Sequence, residues 1–204
     1  MNILLFGTGG HAKVVADIVE QQSIYNIVGL VSQDGASGDF IPGYDVVASN
    51  SNFEHIIKKV GARGAIVALG NADYRKSLVK KISGYLEFAS AIHPLAIIDK
   101  SVSMGIGTTV MAGVVVNAST SIGDHCILNT SSSVDHDCKI GDFSHICPGS
   151  HIGGHVNIGS ECWIGIGSIL VDHINIGDKA IVGAGSVVIN NIKSGAKVFG
   201  APAK

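Results

Sequence analysis

The chain has 204 residues and a net charge of -2, with 46% hydrophobic, 5% aromatic and only 15% charged residues. This apolar share is large enough for a buried core, which argues against a disordered chain. A near-neutral chain lacks the basic surface that nucleic-acid binding needs, and its apolar runs are far shorter than the ~20 residues of a membrane span. The first residues carry no basic segment or cleavable signal. We therefore expect a cytoplasmic protein that binds no nucleic acid and does not span a membrane.

The first part of the chain, residues 1–91, alternates short apolar strands with amphipathic helices. The apolar runs predict strands at 2–6, 27–31, 65–69 and 87–91. Helical spacing of apolar residues predicts helices at 11–22, 52–60 and 74–83. Strands that alternate with helices in this way form a parallel sheet, so we predict a small Rossmann-like α/β domain.

A glycine-rich turn joins the first strand to the first helix. The segment Gly7-Thr8-Gly9-Gly10-His11-Ala12 fits the pattern G-x-G-x-x-G/A, in which amides at a helix N-terminus attract phosphate. Because the carboxyl ends of parallel strands share one edge, we predict that this edge binds a ligand. The candidate residues there are Gly9, Gly10, His11, Asp34 and Asn71. NAD and a turn without ligand are alternatives, but a domain of ~90 residues fits a nucleoside diphosphate better.

From residue 92 onward the pattern changes, because an aliphatic residue or Met occupies every sixth position without interruption. The seventeen positions are Ile92, Ile98, Met104, Val110, Val116, Ile122, Leu128, Val134, Ile140, Ile146, Ile152, Ile158, Ile164, Leu170, Ile176, Val182 and Val188. A period of six is typical of a parallel β-helix, in which each repeat forms one side and one corner of a triangular prism. We predict a second domain at 92–204, with these aliphatics inside. Glycine often follows them by one residue, which we assign to corners with positive φ, and small residues follow by four, where the interior narrows.

Two histidines of the repeat region, His136 and His145, are predicted to face solvent from the prism. His136 lies two residues after the inward Val134 and beside Asp137, which could orient its ring. A solvent-facing imidazole suits general-base catalysis because its pKa lies near neutral pH. The alternative is that both are ordinary surface histidines. No pair of ligands shows the tight spacing of a metal site, so we expect no metal.

The four cysteines show no CxxC spacing, and we predict buried thiols in a reducing compartment. Cys126, Cys138 and Cys162 occupy the small inward position four residues after an aliphatic. Cys147 does not, so it is the cysteine whose reactivity is most worth testing.

Six motifs identify a family resemblance over essentially the full length of the chain. They are Phe6-Gly-Thr-Gly-Gly-His-Ala-Lys-Val14, Ala68-Leu-Gly-Asn71, Ile127-Leu-Asn-Thr130, Val134-Asp-His-Asp-Cys138, Ile140-Gly-Asp-Phe-Ser-His145 and Gly200-Ala-Pro-Ala-Lys204. With them the chain resembles the bacterial hexapeptide-repeat acetyltransferases of nucleotide-activated amino sugars and the related sialic acid O-acetyltransferases. The resemblance implies a left-handed β-helix, acetyl-CoA as co-substrate, and a homotrimer with active sites between neighbouring β-helices.

The resemblance also implies roles for single residues. The catalytic pair is His136, as general base, and Asp137, at a position where some relatives have Glu. The cofactor-binding positions, two of them through backbone amides, are His145, Gly154 and Ala184. The sugar and nucleotide contacts are Asn129, His11, Asp34 and Asn71.

The expected activity is direct acetyl transfer from acetyl-CoA to the 4-amino group of a nucleotide-linked 4-amino-4,6-dideoxy sugar. The resemblance assigns this reaction to bacterial surface-glycan synthesis, such as lipopolysaccharide. Because one base serves an amine and a hydroxyl alike, O-acetylation of a sialic acid or related sugar is an alternative. A β-helix that acts as a non-catalytic scaffold is a second alternative function. For the transfer step itself, an acyl-cysteine mechanism on Cys147 is the alternative to direct transfer. UDP, GDP and dTDP sugars all fit the motifs.

Overall fold

The computed structural model describes residues 1–34 and 41–204. Within them the chain forms two compact units, Met1–Pro94 and Leu95–Lys204. No helix in the described part is both long and apolar enough to cross a membrane.

Unit Met1–Pro94 is an α/β domain. Its strands are β1 (Asn2–Phe6), β2 (Asn26–Ser32), β3 (Val46–Ser49), β4 (Gly64–Val67), β5 (Glu87–Phe88) and β6 (Ala91–Ile92). Its helices are α1 (Gly10–Gln22), α2 (Glu54–Val60) and α3 (Ala72–Ile82). The first five strands form one parallel sheet in the order β3-β2-β1-β4-β5, which confirms the predicted fold class.

The sheet has a buried core on both faces. Leu4 and Phe6 of β1 pack in one cluster with Phe53, which precedes α2, and with Leu78 of α3. Ile3 alternates with these residues, so it points to the opposite face, and it is also fully buried. The sequence prediction missed β3, an edge strand that pairs only with β2 and whose side chains are exposed or half-buried. It therefore lacks the long buried run that marked the other strands.

Unit Leu95–Lys204 is a parallel β-helix made of two-residue strands on three faces. The first face contains β7 (Ile97–Ile98), β10 (Val115–Val116), β13 (Ser133–Val134), β16 (His151–Ile152), β19 (Ile169–Leu170) and β22 (Val187–Val188). The second contains β8 (Ser103–Met104), β11 (Ser121–Ile122), β14 (Lys139–Ile140), β17 (Asn157–Ile158) and β20 (Asn175–Ile176). The third contains β9 (Thr109–Val110), β12 (Ile127–Leu128), β15 (His145–Ile146), β18 (Trp163–Ile164), β21 (Ile181–Val182) and β23 (Lys197–Val198). Stacked parallel strands of this kind are typical of the left-handed β-helix and confirm the prediction.

The residues of the six-residue period fill the interior of the prism. From Val110 to Val188 every one of them is at most 4% exposed. Each lies next to its equivalent one coil away, as Val134 does between Val116 and Ile152. Burial of one such side chain stabilises the fold by ~1.5–3 kcal/mol, so the interior row is the main source of stability of this unit.

The predicted role of the glycines that follow the aliphatics was wrong. Positive φ occurs two residues later, as at Gly107 (φ 67°) and Asp137 (φ 57°). The glycines directly after the aliphatics are required for space instead, since a Cβ on Gly165 would lie 2.6 Å from the carbonyl oxygen of Val182 in the next coil. The corner therefore has two separate constraints, close approach at its first residue and left-handed backbone at its third.

The small residues four positions after the aliphatics are buried inside the prism, and several of them link successive coils. Ser150 Oγ donates to the carbonyl oxygen of Gly165 at 2.8 Å, and Cys138 Sγ donates to that of Gly153 at 3.1 Å. The same position holds three of the four cysteines. All four are free and buried, which confirms the prediction of buried thiols.

Candidate active site

His136 lies at the corner between the first and second faces of the β-helix and points outward, as predicted. Its side chain is 50% exposed. Its backbone N–H donates to Asp135 Oδ1 at 2.8 Å, and the same oxygen accepts from Asn117 Nδ2 at 2.8 Å. These hydrogen bonds fix the corner to the coil before it, so the imidazole projects from a rigid backbone.

Asp137 reaches the His136 ring despite its short side chain. It adopts the left-handed conformation of the corner, which Asp tolerates better than most residues. Its Oδ2 lies 2.8 Å from His136 Nδ1. With Nδ1–H donating to this carboxylate, the lone pair is on Nε2, as a general base requires. The same hydrogen bond raises the pKa of His136 above its usual value, because the carboxylate favours the charged ring.

Gly154 brings the next coil against the His136 ring. A Cβ at this position would lie 2.9 Å from both Cε1 and Nε2 of His136, so only glycine leaves the ring where it is. The N–H groups of Gly154 and Ala184 donate to no acceptor in residues 1–34 and 41–204. The family resemblance assigned both amides to cofactor binding; Ala184 is exposed, whereas Gly154 is buried beside the His136 ring.

Two further imidazoles continue this corner, and sequence reasoning missed them. His155 and His173 follow Asp137 at intervals of 18 residues, and all three have φ near 57°. His155 Nε2 lies 3.8 Å from Asp137 Oδ2, and the His155 ring meets that of His136 edge-on, with centroids 5.1 Å apart. The rings of His155 and His173 are stacked at 4.6 Å. The signal was the 18-residue spacing, which equals one coil.

The prediction that His145 faces solvent was wrong, because the side chain is only 5% exposed. It projects from the third face, where its neighbours in the row are Ile127 and Trp163. The Trp163 ring covers it edge-on at 4.6 Å, and its Nε2 lies 3.0 Å from Asn129 Nδ2. The structure thus joins His145 to the predicted sugar contact Asn129 and leaves it little surface for a cofactor.

Cys147 is a poor candidate for an acyl-enzyme intermediate. It is 1% exposed, and burial raises the pKa of its thiol to about 12. A thiol with that pKa carries almost no thiolate at neutral pH, and the thiolate is the nucleophile. Burial of this thiol therefore argues against the acyl-cysteine alternative.

A separate cavity of about 560 Å³ lies at the carboxyl ends of the strands in unit Met1–Pro94. Its lining includes the predicted Gly9 and Asn71, together with Asn50, Tyr74 and Lys81, which sequence reasoning missed. Gly10 is the first residue of α1 and directly follows the lining residue Gly9. Asn71 caps the N-terminus of α3, because its Oδ1 accepts from the N–H of Tyr74 at 3.0 Å. The cavity is a suitable size for part of a nucleotide.

His11 follows the glycine-rich turn of this cavity, is half-buried and does not line the cavity itself. Burial, and to a lesser extent the positive charge of Arg75, lower the pKa of His11 to about 4. Arg75 is 1% exposed, and its Nη1 donates to the carbonyl oxygens of Leu69 and Gly70 at 2.8 and 2.9 Å. His11 is therefore neutral at pH 7, and Arg75 holds the turn after β4 that lines the cavity.

Asp34 is likewise outside the lining of this cavity. Its Oδ1 accepts from the backbone N–H of Ser51 at 2.9 Å, beside the lining residue Asn50. Hydrogen bonds from Ser49 and Ser51 lower the pKa of Asp34. In the described part of the chain it holds the turn after β3 rather than facing the cavity.

Two family profiles match the sequence. The PglD N-terminal domain matches residues 2–82, and the bacterial transferase hexapeptide (six repeats) matches residues 119–154. The chain is 32% identical over 113 residues to UDP-N-acetylbacillosamine N-acetyltransferase of Bacillus subtilis (strain 168). That match covers 54% of this chain and 51% of the relative, so the aligned part spans about half of the curated protein.

Solved structures resemble the chain over its whole length. One is a histidine variant of GDP-perosamine N-acetyltransferase from Caulobacter crescentus in complex with CoA and GDP-perosamine. It has 33% identity and a TM-score of 0.92, with 100% of this chain and 96% of that chain covered. Another is the acetyltransferase domain of PglB from Neisseria gonorrhoeae FA1090 with acetyl coenzyme A, at 32% identity and a TM-score of 0.91, covering 100% and 98%.

Proposed function

The chain belongs to the family of hexapeptide-repeat sugar acetyltransferases, and on that premise we propose that it acetylates the 4-amino group of a nucleotide-linked 4-amino-4,6-dideoxy sugar. Acetyl-CoA is the acetyl donor, and transfer is direct. The relatives' complexes with CoA, acetyl-CoA and GDP-perosamine support both substrates. The observation that carries the proposal is the outward His136, whose Nδ1 lies on a carboxylate and whose side chain is 50% exposed.

The His136–Asp137 pair supplies what the reaction needs. A protonated amine cannot attack a thioester, so a base must take a proton as the new C–N bond forms. In the proposed mechanism the sugar amine adds to the thioester carbonyl carbon, and His136 Nε2 accepts a proton from the nitrogen. Asp137 keeps the other proton on Nδ1 and stabilises the charged ring. The intermediate then breaks its C–S bond, and the CoA sulfur takes the proton from Nε2.

Backbone amides stabilise the negative charge of the intermediate. The N–H groups of Gly154 and Ala184 have no acceptor in the described chain, and that of Gly154 lies beside His136. Donors that are fixed before the reaction cost no reorganisation when the oxyanion forms, and one such donor contributes ~10²–10³ in rate. We assign Gly154 to the thioester oxygen and Ala184 to the cofactor. His145 holds Asn129 rather than contacting the cofactor itself.

The nucleotide of the sugar substrate binds in the cavity of unit Met1–Pro94. The amides of the turn that contains Gly9, at the start of α1, face the diphosphate, and the Asn50 end takes the nucleoside. Gly10, His11, Asp34 and Asn71 act mainly by shaping this cavity. The names of the relatives point to a UDP sugar and a GDP sugar, and the sequence motifs fit a dTDP sugar as well.

The proposed assembly is a homotrimer of β-helices in the cytoplasm of a bacterium that makes surface glycans. Several large apolar side chains of the β-helix are half exposed or more, including Ile97 at 68% and Ile166 at 59%. Exposed apolar patches of this kind mark contact surfaces between proteins. Sedimentation of the full chain measures the assembly directly.

The decisive experiment measures CoA release from acetyl-CoA with a panel of acceptors. The panel contains UDP-, GDP- and dTDP-linked 4-amino-4,6-dideoxy sugars and, for O-acetylation, sialic acid. We expect turnover with one of the amino sugars and a kcat lower by ~10²–10⁴ in His136→Ala. His151→Ala is the matched control, since His151 is an exposed histidine of the neighbouring coil. If none of the sugars is acetylated, the scaffold alternative is favoured. If His136→Ala and His151→Ala have equal rates, His136 is not the general base.

A further inference from the structure

The corner that holds His136 also brings together three side chains that can ligate a metal ion. One nitrogen from each of His136 and His155 and a carboxylate oxygen of Asp137 all lie within 4.8 Å of one another. Among residues 1–34 and 41–204 this is the one group of three or more His, Cys, Asp or Glu side chains with such geometry. We propose that this cluster binds a divalent transition metal ion such as Zn²⁺, and that the bound ion stops acetyl transfer.

The donor set selects the class of metal. Two imidazole nitrogens and one carboxylate oxygen suit Zn²⁺ and its neighbours in the first transition row. Ca²⁺ and Mg²⁺ prefer oxygen ligands throughout, so they are not expected to compete. Three protein ligands leave a fourth position for water, as in zinc sites that remain accessible.

The distances are close to those of a tetrahedral site. Ligand atoms at ~2.0–2.1 Å from zinc are ~3.3 Å from one another. The His136 Nδ1–Asp137 Oδ2 distance is 2.8 Å, and the His155 Nε2–Asp137 Oδ2 distance is 3.8 Å, so the two gaps lie on either side of that value. The three side chains are 46–50% exposed, which lets them rotate onto an ion and lets the ion enter from solvent.

The corner also limits how far the ligands can move. Their backbone belongs to successive coils, and the His155 N–H donates to the carbonyl oxygen of His136 at 3.0 Å. The stacked His173 ring supports the other side of His155 at 4.6 Å. Packing that orients a ligating imidazole strengthens a metal site.

A bound ion would remove the base that transfer requires. Of the two His136 nitrogens, Nδ1 is the one that faces the cluster, because it lies 2.8 Å from Asp137 Oδ2, the oxygen that is also 3.8 Å from His155 Nε2. If the ion takes the place of the proton on Nδ1, the neutral ring carries its proton on Nε2 instead. Nε2 then has no lone pair for the sugar amine, and Asp137 is occupied as a ligand. This inhibitory step rests on the proposed acetyltransferase function, whereas binding of the ion does not.

Binding is tested by calorimetric titration of the full chain with Zn²⁺ alone after chelator treatment, and by the visible spectrum with Co²⁺. We expect one ion per chain and an intense tetrahedral Co²⁺ band. His155→Asn removes a ligand with a residue that tolerates the left-handed corner, and it should weaken Zn²⁺ binding at least ~100-fold. His151→Ala, an exposed histidine outside the cluster, should bind as the unmodified chain does.

Equal Zn²⁺ affinity in His155→Asn and the unmodified chain would overturn the proposal, as would a pale six-coordinate Co²⁺ spectrum. Inhibition is tested by the CoA-release assay, where Zn²⁺ should reduce the rate at least ~10-fold at saturation and a chelator should restore it. Each variant is compared with its own metal-free rate. If the chain binds metal but acetylates none of the sugars, the metal-site proposal stands and the proposed acetyltransferase function fails. If the chain acetylates a sugar rapidly but binds no Zn²⁺, the acetyltransferase function stands and the metal-site proposal fails.

Discussion

Gly154→Ala tests whether the position of the His136 ring limits the rate. The added methyl group would lie 2.9 Å from Cε1 and Nε2 of His136, and ordinary contact begins at 3.4 Å, so the ring must retreat by at least about 0.5 Å. The 2.8 Å hydrogen bond to Asp137 holds Nδ1 in place, so Nε2 turns away from its present direction. Because a displacement of ~1 Å can cost ~10²-fold, we expect kcat to fall ~10- to 10²-fold.

The assay is CoA release at saturating acetyl-CoA and amino sugar, with a thermal melt as the control for folding. The alanine keeps the backbone N–H at this position, so oxyanion binding is preserved. In a His136→Ala background the ring is absent, and the Gly154 substitution should lower the rate no further. An unchanged kcat in the single variant, or an equal loss in both backgrounds, would refute the reasoning.

Three other substitutions or conditions test separate parts of the structure. Asp137→Asn keeps a residue that tolerates the corner but allows the ring to place its proton on Nε2, so single-turnover rates should fall ~10²–10⁴-fold, and a rate within twofold of the original contradicts the pair. Cys147→Ala should keep kcat within ~twofold because a thiol with pKa about 12 is not ionised at neutral pH, and a large loss with an unchanged melt would favour the acyl-cysteine mechanism. His11 has a pKa of about 4 when folded and 6.5 when unfolded, so the unfolded chain binds more protons between these values and stability is lost as pH falls below 6.5. Urea unfolding should show about 2 kcal/mol less stability at pH 5 than above pH 7 from this group, and His11→Gln should flatten that part of the pH profile unless the pKa shift is absent.

The β-helix could be predicted closely because each repeat packs only against its neighbours. An aliphatic side chain such as Val134 meets equivalents 18 residues away, so a local sequence period describes a long-range core. The same reasoning failed for the glycines, because two corner positions both favour glycine for different reasons, and the sequence alone does not separate them. In the α/β domain the edge strand β3 was missed because its side chains are not deeply buried.

The candidate site could be predicted in part. The outward direction of His136 followed from its distance to an inward residue, but the reach of Asp137 depends on a left-handed φ that no periodicity in the chain records. His145 also projects outward, from a strand rather than a corner, yet it is buried because Trp163 and Asn129 close over it on the outer surface. Outward from the prism is therefore not the same as exposed.

The corner of the β-helix explains why these functional groups lie where they do. Its third residue has positive φ in four successive coils, at Ser119, Asp137, His155 and His173. Among residues other than glycine, Asn, Asp and His adopt this conformation most readily. Asp137, His155 and His173 all occupy that position, at 18-residue intervals. Asp and His are also the side chains that orient a base, accept protons and bind transition metals. At this corner the residue types that the backbone tolerates are thus the ones that the chemistry needs, so a catalytic pair and a metal-binding cluster can be added with little cost to the fold.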